Sequence, residues 1–367
     1  MHQANGNAIH DWHAEVLAVR SFNRFLLDEC RNVHQGHPSA ILQASSGSDM
    51  HPFHIKDNVR LHMYCSEAPC GDASMELTMA AQDDASPWDT CPAPVDPSTG
   101  IGPGTGAGTT IVQSQQQQQQ LLLGRANFSQ LGVVRRKPAR GDAPPTLSKS
   151  CSDKLTLKQC TSLLSSLLST LVSPSNAYLA TLILPASQYS AAGCQRAFDD
   201  RIAEPLLAAA HHRVWSEGGG GYRFSPFVVE TTEETFAFSR SAVAGRAGAS
   251  RIAPSNLAAA WTGNGVEETI LGGVVQGRKP FEEKGASRMS RRLLFISARG
   301  LAHDLVGHDH VGVALSSDTY QHAKDSDLLA DRRRVKDYIR QSALRGWVRN
   351  RGDSSFSIPK TAQTRES

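Results

Sequence analysis

The chain has 367 residues, of which 40% are hydrophobic and 20% charged, with a formal net charge of +3. That length buries a substantial core, as one large domain or two smaller ones, and the composition is that of an ordinary globular protein. So small a net charge does not mark a nucleic-acid binder, and no apolar run reaches the roughly 20 residues that span a bilayer. The charge is uneven, however. From Arg278 to Arg351 there are 16 Lys/Arg against 9 Asp/Glu, and Arg135, Arg136, Lys137 and Arg140 form a second basic cluster. Local basic surface of this kind suits a polyanion, although a solvated helix face is the commoner explanation for any one cluster.

The first ordered element is predicted at HDWHAEVLAVR. Val16, Leu17, Val19, Phe22, Phe25 and Leu26 recur at helical spacing, so Trp12 to about Arg31 reads as an amphipathic helix with Asp11 as its N-cap. A polar loop follows, then a half-buried strand at Leu61–Ala68 with Leu61, Met63 and Cys65 alternating, then a helix opening at Pro69. Residues 87–123 are rich in Pro, Gly, Thr and Gln and bury too little apolar area to offset chain entropy, so a disordered insertion is expected there. SCSDKLTLKQCTSLLSSLLSTLV reads as one helix from about Ser152, Tyr178–Pro185 as a buried strand, and Ala191 to Ala210 as a helix. Short strands are expected through Phe238 and a pair near Glu268 to Gln276. Two helices, about Ala286 to Leu305 and about Tyr320 to Leu344, close the chain. Strands interleaved with helices imply an α/β or α+β domain.

Seven cysteines, odd in number, widely spaced and without a secretory leader, point to a reducing compartment and an intracellular soluble protein. Three short motifs are compatible with one zinc site: HAE (His13, Glu15), PCGD (Cys70) and SCSD (Cys151). Each candidate ligand stands at or just before a predicted helix start, where the helix dipole favours thiolate over thiol. One imidazole and two thiolates leave zinc a fourth position for water. Zinc lowers the pKa of that water to about 7, and a nearby carboxylate, Glu15, can then relay its protons. Alone, HAE is a common pattern, and Cys30, Cys65, Cys160 and Cys194 read as small buried hydrophobes. The free-nucleoside pattern P-C-x-x-C is absent because position 73 is Ala, so the second thiolate must come from elsewhere, with Cys151 the best placed.

GNAIHDWHAEVLAVRSFNRFLLDEC, LHMYCSEAPCGDASMELTMA, SCSDK, LILPASQYSAAGCQRAF, GASRMSRRLLF, YQHAK and LRGWVRNRGD together resemble the adenosine-to-inosine RNA-editing deaminase family, most closely its tRNA-acting fungal branch. The resemblance implies one deaminase domain over residues 1–360, interrupted by 87–123, with a cytidine-deaminase-like α/β core (a mixed sheet flanked by helices) and a C-terminal helical extension around inositol hexakisphosphate. It implies His13, Cys70 and Cys151 as zinc ligands and Glu15 as proton shuttle. Adenosine flips out of the RNA, zinc-bound hydroxide attacks C6, and ammonia leaves. By position, Arg20, Lys154, Arg291, Tyr320, Lys324 and Trp347 match polyphosphate contacts, and Asp11 and Lys137 match a relay between that group and the zinc. One of Arg332, Arg333, Arg334 and Lys336 is expected to add another contact. Leu157 and Lys158 depart from the Arg-Trp pair of the relatives, which leaves one contact open. Arg140, Gly141 and Asp142 are expected near the RNA. The substrate implied is tRNA beside the anticodon, in the nucleus or cytoplasm, with no membrane and no obligate protein partner. A double-stranded-RNA or mRNA editor and an inactive truncated RNA-binding remnant are the alternatives. The family also places a helix and two strands before HAE, and only QANGN of that region is present. The N-terminal part of the core is therefore expected to be missing and the chain to fold poorly alone, an expectation that a cooperative thermal transition with stoichiometric zinc overturns.

Overall fold

The computed structural model describes residues 4–47, 49–81, 122–123, 130–137, 146–207, 214–215, 220–246, 252, 255–350 and 352–358. At its centre lie three parallel strands, Leu61–Tyr64, Leu179–Pro185 and Val228–Thr232, with Leu179–Pro185 in the middle. The middle strand reads LATLILP, a near-continuous apolar run, because helices and loops cover both of its faces. Met63, Leu182, Leu184, Leu155 and Phe198 form the cluster on one side.

Ala14–His34 is the long first helix. It starts two residues later than its apolar pattern predicts, and its N-cap is His13 rather than Asp11. The carboxylate of Asp11 accepts the His13 N–H at 3.2 Å but is otherwise committed to side chains across the domain. Leu26 and Leu27 on this helix pack with Phe53, Ile55, Leu164, Leu168 and Phe295 in the largest core cluster. Two sheets went unread in part. A hairpin, Leu42–Ala44 with Phe53–Ile55, replaces the polar loop, and the expected pair near Glu268 is a three-stranded antiparallel sheet of Leu257–Trp261, Glu267–Leu271 and Val274–Val275. The second of these packs on the first helix through Ile9, Leu17, Ala260 and Ile270.

The segment after SCSD corrects the single-helix expectation. The helix is Cys151–Thr161, and Ser162 turns the chain with φ +58°, leaving a short second helix at Leu168–Leu171. Helix propensity gives way here to side chains that satisfy the freed carbonyls: Lys158 donates to Leu163 and Leu164, and Arg332 to Thr161 and Leu164. The strand expected at Leu61–Ala68 stops at Tyr64. The helix expected from Pro69 is a 3₁₀ turn, Asp72–Ser74, followed by Met75–Ala80. Downstream, Ala191–Gln195, a π turn at Arg196–Asp200 and Arg201–Leu207 fill the place of one long helix. The C-terminal helices are Arg291–Asp304, Asp309–Leu315, Tyr320–Asp325 and Ala330–Gln341, four where two were expected.

Of the expected insertion, only 122–123 is described, as a two-residue strand parallel to Arg135–Arg136. Arg140, Gly141 and Asp142 lie outside the described residues. No helix among the described residues is long and apolar enough to cross a membrane.

Candidate active site

His13 caps the first helix, Cys70 lies in the turn after the Leu61–Tyr64 strand, and Cys151 is the first residue of its helix. Their ligand atoms all lie within 4.8 Å of one another. Nδ1 of His13 is 3.8 Å from each sulfur, which makes it the ring nitrogen that faces the cluster. Two features bring the cysteine turns together. Ser152 Oγ donates to the carbonyls of Pro69 and Cys70, and the Cys151 N–H donates to the Cys70 sulfur at 3.3 Å. Gly71 has φ +105°, and a side chain there would overlap Ser150, so glycine is what this close approach admits.

The electrostatics favour metal ligation. Hydrogen bonding with Cys151, supported by His13 and Lys137, holds the Cys70 thiol well below its usual range. The same pairing and burial push the Cys151 thiol up. Lys137 donates to Cys151 Sγ at 3.2 Å. Glu15, in the first helical turn, has its carboxyl raised by burial and then by the Cys70 charge. A nitrogen and two polarised sulfurs suit zinc chemically.

Behind this cluster Asp11 gathers two lysines. It accepts from Lys137 Nζ at 3.0 Å, from Ser148 at 2.6 Å and from Lys154. Burial alone would raise its pKa, but Lys154 and Lys137 overcome that and hold the carboxyl far below the usual range.

Glu15 and Cys151 also line a cavity of about 280 Å³, together with Arg20, Lys154, Lys158, Arg291, Lys336, Arg340, Tyr320 and Trp347, among others. Six cations face it, and Glu15 is the one carboxylate among the lining residues. Burial and then the Arg291 charge bring Arg20 down to about 10, and burial with Arg332 pushes Lys158 and Lys336 well below the ordinary lysine value. Cations gathered around one cavity make it electrostatically complementary to an anion.

Among the expected contacts, Arg20, Lys154, Arg291, Tyr320 and Trp347 line this cavity. Lys324 does not; its ammonium lies 5.5 Å from the Tyr320 ring centroid. Of the four undecided cations, Lys336 lines the cavity. Arg332 and Arg333 donate to backbone carbonyls, and Arg334 pairs with Asp331. Leu157 and Lys158, the departures from the family pattern, line it too. Lys158 and Arg340 went unassigned because spacing alone does not show that their two helices face one space. Cys30, Cys65, Cys160 and Cys194 are buried and unbridged, as expected of small hydrophobes.

A three-stranded parallel core that brings one histidine and two cysteines together where a metal could bind suits a metal-dependent hydrolytic enzyme. The chain belongs to the adenosine-deaminase (editase) domain family, whose model matches residues 1–351. It is similar to tRNA-specific adenosine deaminase 1 of Schizosaccharomyces pombe, at 30% identity over 95% of this chain and 78% of the relative. The Saccharomyces cerevisiae protein of that name is 33% identical over 46% of this chain and 38% of its own length. A mouse double-stranded RNA-specific adenosine deaminase is 35% identical over 19% of this chain and 6% of its own. The chain is thus an adenosine deaminase.

Proposed function

We propose that the protein deaminates adenosine to inosine in tRNA, beside the anticodon, by zinc-dependent hydrolysis. The observation that carries this reading is the His13–Cys70–Cys151 cluster with Glu15 in the first turn of the helix that His13 caps, set in a chain similar over 95% of its length to a tRNA-specific deaminase. His13 Nδ1 and the sulfurs of Cys70 and Cys151 would hold a zinc ion, which would supply Lewis-acid activation of a water at neutral pH. A flipped-out adenosine would present its C6 to the attacking water. Glu15 would take one proton from the water and deliver it to the ring nitrogen beside C6 as the C6–O bond forms; it would then carry the remaining hydroxyl proton to the amine, so that the C–N bond breaks, ammonia leaves and C6 becomes a carbonyl. Lys137 holds a positive charge against Cys151 Sγ, offsetting the charge of two thiolates, and Asp11 fixes Lys137 in place.

The six-cation cavity is the proposed seat of inositol hexakisphosphate, with Arg20, Lys154, Arg291, Tyr320 and Trp347 as contacts and Lys158, Lys336 and Arg340 added to them. Lys324 stays a candidate contact by position only. Asp11 bridges Lys154 of the cavity to Lys137 of the metal cluster and so acts as the relay between them. Arg140, Gly141 and Asp142 are proposed to meet the RNA.

Inosine formation in tRNA by the wild type and by Glu15→Ala tests the shuttle. The variant should bind zinc and make no inosine; a zinc-loaded Glu15→Ala as active as the wild type refutes the assignment. Mass spectrometry of folded, active protein should find inositol hexakisphosphate, and its absence there removes the second site.

A further inference from the structure

Both cysteine turns carry the same pattern, Cys-x-Asp: Cys70-Gly71-Asp72 and Cys151-Ser152-Asp153. Neither aspartate has a part in the chemistry above, yet both side chains are fully buried, a costly place for a carboxylate unless it is paired. The partners are arranged alike. Asp72 accepts the backbone N–H of Gly132 at 3.0 Å through one oxygen and Arg196 Nε at 3.2 Å through the other. Asp153 accepts the N–H of Arg135 at 3.0 Å through one oxygen and Arg201 at 2.9 Å through the other. Each carboxylate therefore ties a cysteine turn to the segment that carries Lys137 and to an arginine of one helical stretch.

That stretch is unusual in a way that serves the pairing. Arg196–Asp200 is a π turn, and Arg201 follows it directly. On a regular α-helix, residues five apart point about 140° away from each other. The wider turn, with its i→i+5 bonds, brings the two guanidiniums toward one flank. Thr156 and Gln159 of the Cys151 helix donate to the carbonyls of Ala197 and Phe198 and so fasten the turn in place.

We propose that Asp72–Arg196 and Asp153–Arg201 form a double clamp of positioning residues that sets the spacing of Cys70 and Cys151 and holds the Lys137 segment against them. The proposal rests on the reading of His13, Cys70 and Cys151 as zinc ligands. Each aspartate is two residues from its sulfur, so a shift of its carboxylate is passed to the ligand. Lys137, two residues beyond Arg135, takes its place from the Arg135–Asp153 bond.

Arg196→Lys and Arg201→Lys, singly and together, keep the charge and lose the planar fork. Zinc release to a chelator should speed up by about 10- to 100-fold, the range typical for removing an outer partner of a metal ligand. The ligand-field spectrum of the cobalt-substituted protein should change, and kcat should fall with KM unmoved. Folded variants that release zinc at the wild-type rate, with an unchanged cobalt spectrum, overturn the clamp. Hydrogen exchange on the wild type decides the matter if the variants do not fold. The Gly132 and Arg135 amides should then be protected like the Cys151 helix, and exchange at the rate of an exposed loop refutes the proposal. A wild type that takes up no zinc refutes the metal reading instead, and exchange at those two amides still decides the clamp.

Discussion

Replacing Lys336 with Met should have opposite effects on stability with and without a polyanion. Lys336 lines the cavity beside five other cations, and burial followed by Arg332 and Arg340 pushes its pKa well below the ordinary lysine value. In the anion-free protein this charge opposes folding. Exchanging a buried charge for an apolar side chain of similar length should then be neutral or stabilising by about 1–4 kcal/mol. With inositol hexakisphosphate bound, the same ammonium is paired, and losing it should cost about 3–5 kcal/mol. The pH dependence follows from the direction of the shift. The folded pKa of Lys336 lies below its unfolded value, so the unfolded state binds more protons between the two, and anion-free stability rises with pH up to about 10.4. The Met variant should flatten that slope. Thermal unfolding with and without inositol hexakisphosphate at fixed ionic strength, from neutral to alkaline pH, checks each element. A variant destabilised equally in both states, with the wild-type slope intact, would refute the polyanion reading of the cavity.

Asp11→Asn leaves Lys137 and Lys154 facing a neutral amide, and both lysines now lean on that carboxylate. Breaking a buried pair costs about 3–5 kcal/mol, reduced to about 2–4 here because the amide keeps one acceptor, and urea unfolding should show it. Gly71→Ala forces a side chain into Ser150 at φ +105°. It should lose about 1–3 kcal/mol and weaken zinc retention, measured by chelator competition. An alanine variant that holds zinc as the wild type does would show that the cysteine turns can separate without loss.

Much of this was legible in the chain. His13, Glu15, Cys70 and Cys151 stand in short motifs whose residue types already limit the chemistry, and LATLILP is apolar enough to be read as a covered strand without coordinates. The HAE helix is likewise written in its own periodicity. What the sequence leaves open is which distant groups meet. Lys336 and Lys158 look like solvated helix charges until their helices are seen to face one cavity with Arg20 and Arg291. The run from Ser152 to Val172 has helix propensity throughout, yet Ser162 breaks it because Lys158 and Arg332 supply the donors its freed carbonyls need. Local pattern fixes the residues that favour a conformation or a ligand. Only tertiary structure decides which of the charges are buried together, because their energies depend on neighbours more than a hundred residues away, as Asp11 depends on Lys137 and Lys154.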